Sequence, residues 1–193
     1  MGTDRHTTKD RILQSAYSLF YREGFARVSV DAIAARANVT KRTVYYHFQS
    51  KDDIAAAALE AQHRYLVQQY QQWSGPDATD PVRVVEGLFR ELKNWAGGNQ
   101  WLGSGYSRIA AELADMPGHP ARKAAHTHKA KIESWLSERF AATGLANPSG
   151  DAQKIMILIE GGMSLSLIHG DNCYIETAEA AAIGLLSNTE YDS

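Results

Sequence analysis

A single cysteine, Cys173, stands among the 193 residues, so no disulfide can close within the chain. No apolar run is long enough to cross a bilayer, and the mean hydropathy is −0.36. The opening MGTDRHTTKD is polar throughout, which argues against a secretory signal. Gly2 invites N-myristoylation, but His6 stands where that pattern wants Ser or Thr. These absences together predict a reduced, cytoplasmic protein with no membrane partner. A glycine-rich phosphate loop, a G-x-S-x-G turn and an H-E-x-x-H pair are missing too. No catalytic constellation and no cofactor are therefore expected. His119, His126 and His128 invite a metal reading. However, His126 and His128 at i, i+2 face different sides of a helix, and no cysteine lies near them. Exposed polar histidines are expected instead, and Cys173 is expected to be a small apolar residue rather than a redox sensor.

Strands are also scarce. Period-two alternation is absent beyond the few residues around Val28 to Val30. Helical periodicity fills the rest, punctuated by Gly, Pro and Asn, and predicts about nine helices. The first spans about Thr8 to Arg22, with Thr7 and Asp10 at capping-box spacing and Gly24 as its end. The second, Val30 to Ala37, has Ser29 as N-cap and Asp31 in a first turn that favours acids. The third runs from Lys41 to about Phe48, and a long fourth reaches about Trp73, with Ser50 and Asp53 offering its cap. Beyond the linker SGPDATDP, helices are expected at Val82 to Trp95, Ser104 to Asp115, Pro120 to Ala142, Ala152 to His169 and Ile175 to Leu186.

Charge divides the chain unevenly. Residues 1–50 hold eight Lys/Arg against four Asp/Glu, a balance of +4, while the remainder carries −6. A basic end on an acidic body points to a polyanionic partner for that end alone. Two short helices joined by a three-residue turn, Asn38-Val39-Thr40, make a helix-turn-helix. Ile33, Ala34, Ala37, Val44 and Phe48 form its inner faces. Lys41, Arg42, Thr43, Tyr45, Tyr46 and His47 remain outward. Arg42 suits a bidentate contact to guanine O6 and N7. Lys41 can do the same or hold a phosphate. Thr43 can meet a phosphate or a thymine methyl. Tyr45, Tyr46 and His47 offer donors, and Ser29, Thr40 and Lys51 suit backbone phosphates.

The segment RILQSAYSLFYREGF followed by VSVDAIAARANVTKRTVYYHFQSKDDI resembles the TetR/AcrR family of transcriptional regulators. The resemblance is strongest in YYHF, the lysine after it and F-x-x-V-S-V-D-x-I-A, and covers roughly the first quarter of the chain. It implies an all-α protein: a three-helix DNA-binding head, residues 1–51, and a ligand-binding and dimerisation body, residues 52–193. It places Lys41, Arg42 and Tyr45 on bases and Thr40, Thr43, Tyr46, His47 and Lys51 mainly on the backbone. Many family members have glycine where this chain has Arg42, so an added guanine preference is expected here. The resemblance further implies a homodimer through 152–169 and 175–186, a palindromic operator on double-stranded DNA, and a repressor released by a small-molecule effector. The aromatic and methionine-containing body suggests an apolar or aromatic effector, with Trp95, Tyr106 and Met163 as candidate contacts. Gly161-Gly162 in an otherwise apolar helix fits close approach of a partner helix. Glu160 in the same helix is expected to meet an arginine, a ligand amine or the interface. A ligand-free regulator of the same fold and a helical enzyme with an incidental basic head are the alternatives.

Overall fold

The computed structural model describes residues 7–188, and the myristoylation pattern at the N-terminus lies outside them. The described residues form nine α-helices and no strand. These are α1 (Thr8–Glu23), α2 (Val30–Arg36), α3 (Lys41–His47), α4 (Lys51–Trp73), α5 (Pro81–Ala96), α6 (Gly105–Glu112), α7 (Pro120–Ala141), α8 (Pro148–His169) and α9 (Cys173–Ser187). The all-α expectation holds, and most helix ends fall within two residues of those read from the sequence.

Capping explains that agreement. The Thr7 hydroxyl accepts from Asp10 N at 3.1 Å, and the Asp10 carboxylate accepts from Thr7 N at 3.0 Å. The pair is a reciprocal capping box at the start of α1. Gly24 closes α1 at φ 88°, a conformation that costs glycine little. The main disagreement is α8, which begins four residues earlier than Ala152. Asn147 accepts from Gly150 N at 3.2 Å, and Pro148 sits at the first helical position, where its missing N–H costs nothing. The run NPSGD reads as a loop by composition but is a cap followed by a first turn.

The chain folds as two compact units. The head unit comprises residues up to Arg64 with Gly105–His128; the body unit comprises Tyr65–Ser104 and the chain from Lys129 onward. Long helices α4 and α7 supply residues to both. In the head unit, α1, α2 and α3 bury Ile12, Ala16, Phe20, Ile33 and Val44 almost completely. Segment 105–128 packs in the same unit. The Glu112 carboxylate accepts from Ala26 N at 3.2 Å, and Arg108 donates to Tyr21 O at 2.7 Å.

The body unit closes over an apolar core built on α5, α7, α8 and α9, including Val84, Leu88, Phe89, Phe140, Ile155 and Leu186. The loop between α4 and α5, expected as a linker, is pinned. Arg139 donates to the carbonyls of Gly75 at 3.1 Å, Pro76 at 3.3 Å and Ala78 at 2.8 Å. The two mid-helix glycines of α8 have separate explanations. A Cβ on Gly162 would stand 3.0 Å from the Ala178 Cβ and 3.3 Å from the Ile175 Cα, so this glycine lets α9 approach. Gly161 faces open space.

Candidate nucleic-acid interface

The geometry of α2 and α3 follows from their caps and their turn. The Ser29 hydroxyl accepts from Ala32 N at 3.1 Å and starts α2. Asn38 then adopts φ 53°, a left-handed conformation that asparagine tolerates better than most side chains. The Thr40 hydroxyl accepts from Thr43 N at 3.1 Å and starts α3. The buried face carries Ile33, Ala34, Ala37, Val44 and Phe48, as the pattern predicts.

The opposite face of α3 is exposed. Tyr46 is 82% exposed and Tyr45 49%, while Lys41 and Arg42 also face solvent. Leaving two aromatic rings in water has no benefit for folding, so a partner is the economical explanation. His47 packs edge-on against Tyr46, with ring centroids 5.1 Å apart. The Thr40 and Thr43 hydroxyls lie 2.8 Å apart. Thus Thr40, Lys41, Arg42, Thr43, Tyr45, Tyr46 and His47 share one short helix and its cap, with Ser29 at the start of the helix before it.

Lys51 has a further occupation that the sequence did not reveal. Its ammonium donates to Phe25 O at 3.0 Å and Val28 O at 3.2 Å, and lies 4.2 Å from the centre of the Phe25 ring. It therefore bolts α4 to the loop between α1 and α2, and one of its three N–H groups is left for a phosphate. Lys51→Ala is expected to lower unfolding free energy by about 1–3 kcal/mol, because two carbonyls lose their donor. Urea denaturation measures this, and a salt series on DNA separates the second role. A salt slope flatter by about one unit indicates a phosphate contact; an unchanged slope leaves only the bolt.

Two residues outside the predicted set also contact this helix-turn-helix. Lys9, on α1, places its ammonium 5.8 Å from the Phe48 ring and adds a cation near the end of α3. Asp31, read from the sequence only as a helix-dipole acid, meets Lys41 at 2.8 Å. That contact spans ten positions and two helices, so no helical spacing signals it. The hydrogen bond that Lys41 donates to Asp31, and then the Asp31 charge, raise the Lys41 pKa.

The expected effector contacts are divided between the two units. Trp95 and Met163 belong to the body unit and Tyr106 to the head unit. Trp95 is 37% exposed and meets Trp101 edge-on, whereas Met163 is buried in the body core. Tyr106 is buried, donates to Leu59 O at 2.7 Å and stacks on His128 at 3.8 Å. One cavity of about 500 Å³ in the body unit is lined by Trp73, Asp77, Arg83, Glu86 and Arg90 among others. Another of about 240 Å³ is lined by Gln71, Ser74, Pro76, Trp135 and Arg139. None of the three candidates lines either.

The histidines differ from expectation. His126 is exposed, but His119 and His128 are buried. The Nδ1 of His119 accepts from Ala121 N at 3.1 Å, and the Nδ1 atoms of His128 and His63 lie 2.8 Å apart. Each gains a polar partner inside the fold, which pattern alone does not predict. No group of three metal-ligating side chains forms among the described residues. Glu160 pairs with Lys129 rather than an arginine, and Lys129 also reaches the Ser104 hydroxyl at 3.2 Å. Cys173 is exposed rather than packed, and a hydrogen bond to Asp171 raises its thiol pKa, the wrong direction for an activated thiolate.

A capped helix-turn-helix with an exposed cationic and aromatic second helix defines a DNA-binding regulator. Comparison with known proteins agrees. Residues 12–58 match the family described as bacterial regulatory proteins, tetR family. The chain is 25% identical over 164 residues to the HTH-type transcriptional regulator LmrA of Bacillus subtilis, covering 83% of this chain and 86% of that one. It is 36% identical over 58 residues to IcaR of Staphylococcus aureus, a negative transcriptional regulator of a biofilm operon; that match covers 30% of this chain and 31% of IcaR. A crystal structure of a TetR-family transcriptional regulator from Streptomyces coelicolor superimposes with a TM-score of 0.83 at 25% identity, over 94% of this chain and 95% of that one. Residues 12–58 thus carry a domain that matches the tetR-family DNA-binding model, and the relatives and solved structures that the chain resembles over most of its length are transcriptional regulators. No helix among the described residues is long and apolar enough to cross a membrane.

Proposed function

We propose that the chain is a repressor that binds a palindromic operator as a homodimer and is released by a small-molecule effector. The observation that carries the DNA half is the exposure of Tyr45 and Tyr46 beside Lys41 and Arg42 on a helix whose other face is fully packed. Residues 1–51 hold the DNA-binding function and residues 52–193 the effector and dimer functions. Arg42, Lys41 and Tyr45 read bases; Ser29, Thr40, Thr43, Tyr46, His47 and the remaining N–H of Lys51 position the backbone. Two heads in successive major grooves require half-sites about 34–36 Å apart.

The dimer reading is supported by α8. Ile157 is 67% exposed and Ile168 70%, with Leu165 and Leu167 also exposed and Gly161 open to space. An apolar helix face of this kind is suited to a twofold contact with its copy through α8 and α9. For the effector, an apolar or aromatic molecule remains the proposal, and Trp95 beside Trp101 is the accessible aromatic pair. Release requires the effector to favour the non-binding conformation by several kcal/mol of differential affinity.

Nuclease footprinting on the DNA flanking the gene tests the reading. A protected palindrome is expected, and absence of binding to any duplex at low salt refutes it. On that operator, Arg42→Ala is expected to relax preference at one position per half-site, by about 1–3 kcal/mol against the favoured base. Equal loss on every sequence means that Arg42 meets phosphate instead.

A further inference from the structure

We infer that Asp31 is a specificity-determining positioning residue, which withholds Lys41 from indiscriminate phosphate contact. The inference rests on the reading that Lys41 faces DNA.

The carboxylate of Asp31, in the first turn of α2, receives a hydrogen bond from the Lys41 ammonium in the first turn of α3 at 2.8 Å. Both side chains are solvent-exposed, 65% for Asp31 and 51% for Lys41, so the pair is not needed to satisfy a buried charge. An acid at this place faces two demands. The positive end of α2 favours it, and so does Lys41. A DNA phosphate repels it. A lysine that neutralises one phosphate releases about one condensed counterion, and this is what drives sequence-independent binding. A lysine already paired with a carboxylate releases less, because its Asp31 contact must first break. The pair therefore subtracts most where Lys41 gains only a phosphate. It subtracts little where Lys41 keeps its contact with Asp31 and gives its other two N–H groups to a directional contact, such as guanine O6 and N7. Asp31 also fixes the direction of a side chain that otherwise samples many rotamers.

The test measures binding of the full chain to a random-sequence duplex over a salt series, with Asp31→Asn, Lys41→Ala and the double variant. Asp31→Asn is expected to bind random duplex about 3- to 10-fold tighter, with a salt slope steeper by close to one unit. In a selection from randomised duplexes, it is expected to enrich a less defined site than the natural chain. In the Lys41→Ala background, Asp31→Asn is expected to change binding far less. This separates positioning of Lys41 from simple removal of a negative charge near DNA. Asp31→Ser repeats the measurement with another residue suited to the start of a helix, in case Asp31→Asn folds poorly.

An equal gain with and without Lys41 overturns the inference in favour of plain repulsion. If Lys41→Ala weakens binding but Asp31→Asn changes nothing, the DNA-facing reading of Lys41 stands and the role of Asp31 falls. If Lys41→Ala leaves binding intact, both fall together.

Discussion

Replacing Ile157 and Ile168 together by aspartate is expected to turn the proposed dimer into monomers and to remove operator binding at concentrations where the natural chain saturates its site. Both side chains project from α8 and are more than two-thirds exposed in the single chain. Burying an isoleucine fully contributes about 1.5–3 kcal/mol, and a twofold axis makes each substitution act twice. A carboxylate at such a contact must also be desolvated without a partner. A loss of only about 4 kcal/mol raises the dissociation constant a thousandfold. Sedimentation or light scattering reads the assembly, and footprinting reads the operator. The melting transition of the monomer is expected to survive, because neither side chain belongs to the body core. A double variant that stays dimeric shows that the copies meet elsewhere.

Val44→Asp is expected to abolish DNA binding at every salt concentration by unfolding the helix-turn-helix. Val44 has no exposed surface, and α3 has only seven residues to hold it. An isolated helix of that length has no stability of its own, so packing of Val44 and Phe48 against the head keeps it formed. A buried, unpaired carboxylate costs several kcal/mol, a large share of the roughly 5–15 kcal/mol that stabilises a domain. The neighbouring Tyr45→Asp provides the contrast. Tyr45 is 49% exposed, so its replacement is expected to weaken DNA binding while leaving the melting temperature nearly unchanged. Calorimetry and a binding titration on the two variants separate folding from recognition. A Val44→Asp protein that melts like the natural chain places residue 44 outside the core.

Local chemistry made much of this protein legible. Thr7 with Asp10, Ser29, Thr40 and Ser50 are caps whose partners lie three residues away, so their hydrogen bonds are written in the spacing. The inner and outer faces of α2 and α3 follow from helical periodicity for the same reason. The start of α8 is not legible because Asn-Pro-Ser-Gly resembles a loop in composition, although Asn and Pro are also a cap and a first position.

What lay beyond reach were contacts between residues distant in sequence. Lys51 meeting Phe25 O and Val28 O joins a helix to a distant loop, while Asp31 meeting Lys41, His63 meeting His128, and Lys129 meeting Glu160 join separate helices. Nothing in a one-dimensional period fixes which pairs the packing brings together. The sequence alone determined the helices, their faces and the chemistry of the exposed face of α3, because each depends on neighbours within about four positions. Only the tertiary structure decided which charges are already engaged, which histidines are buried, why Gly162 is glycine and which apolar residues of α8 are left uncovered. Those outcomes depend on how whole helices pack.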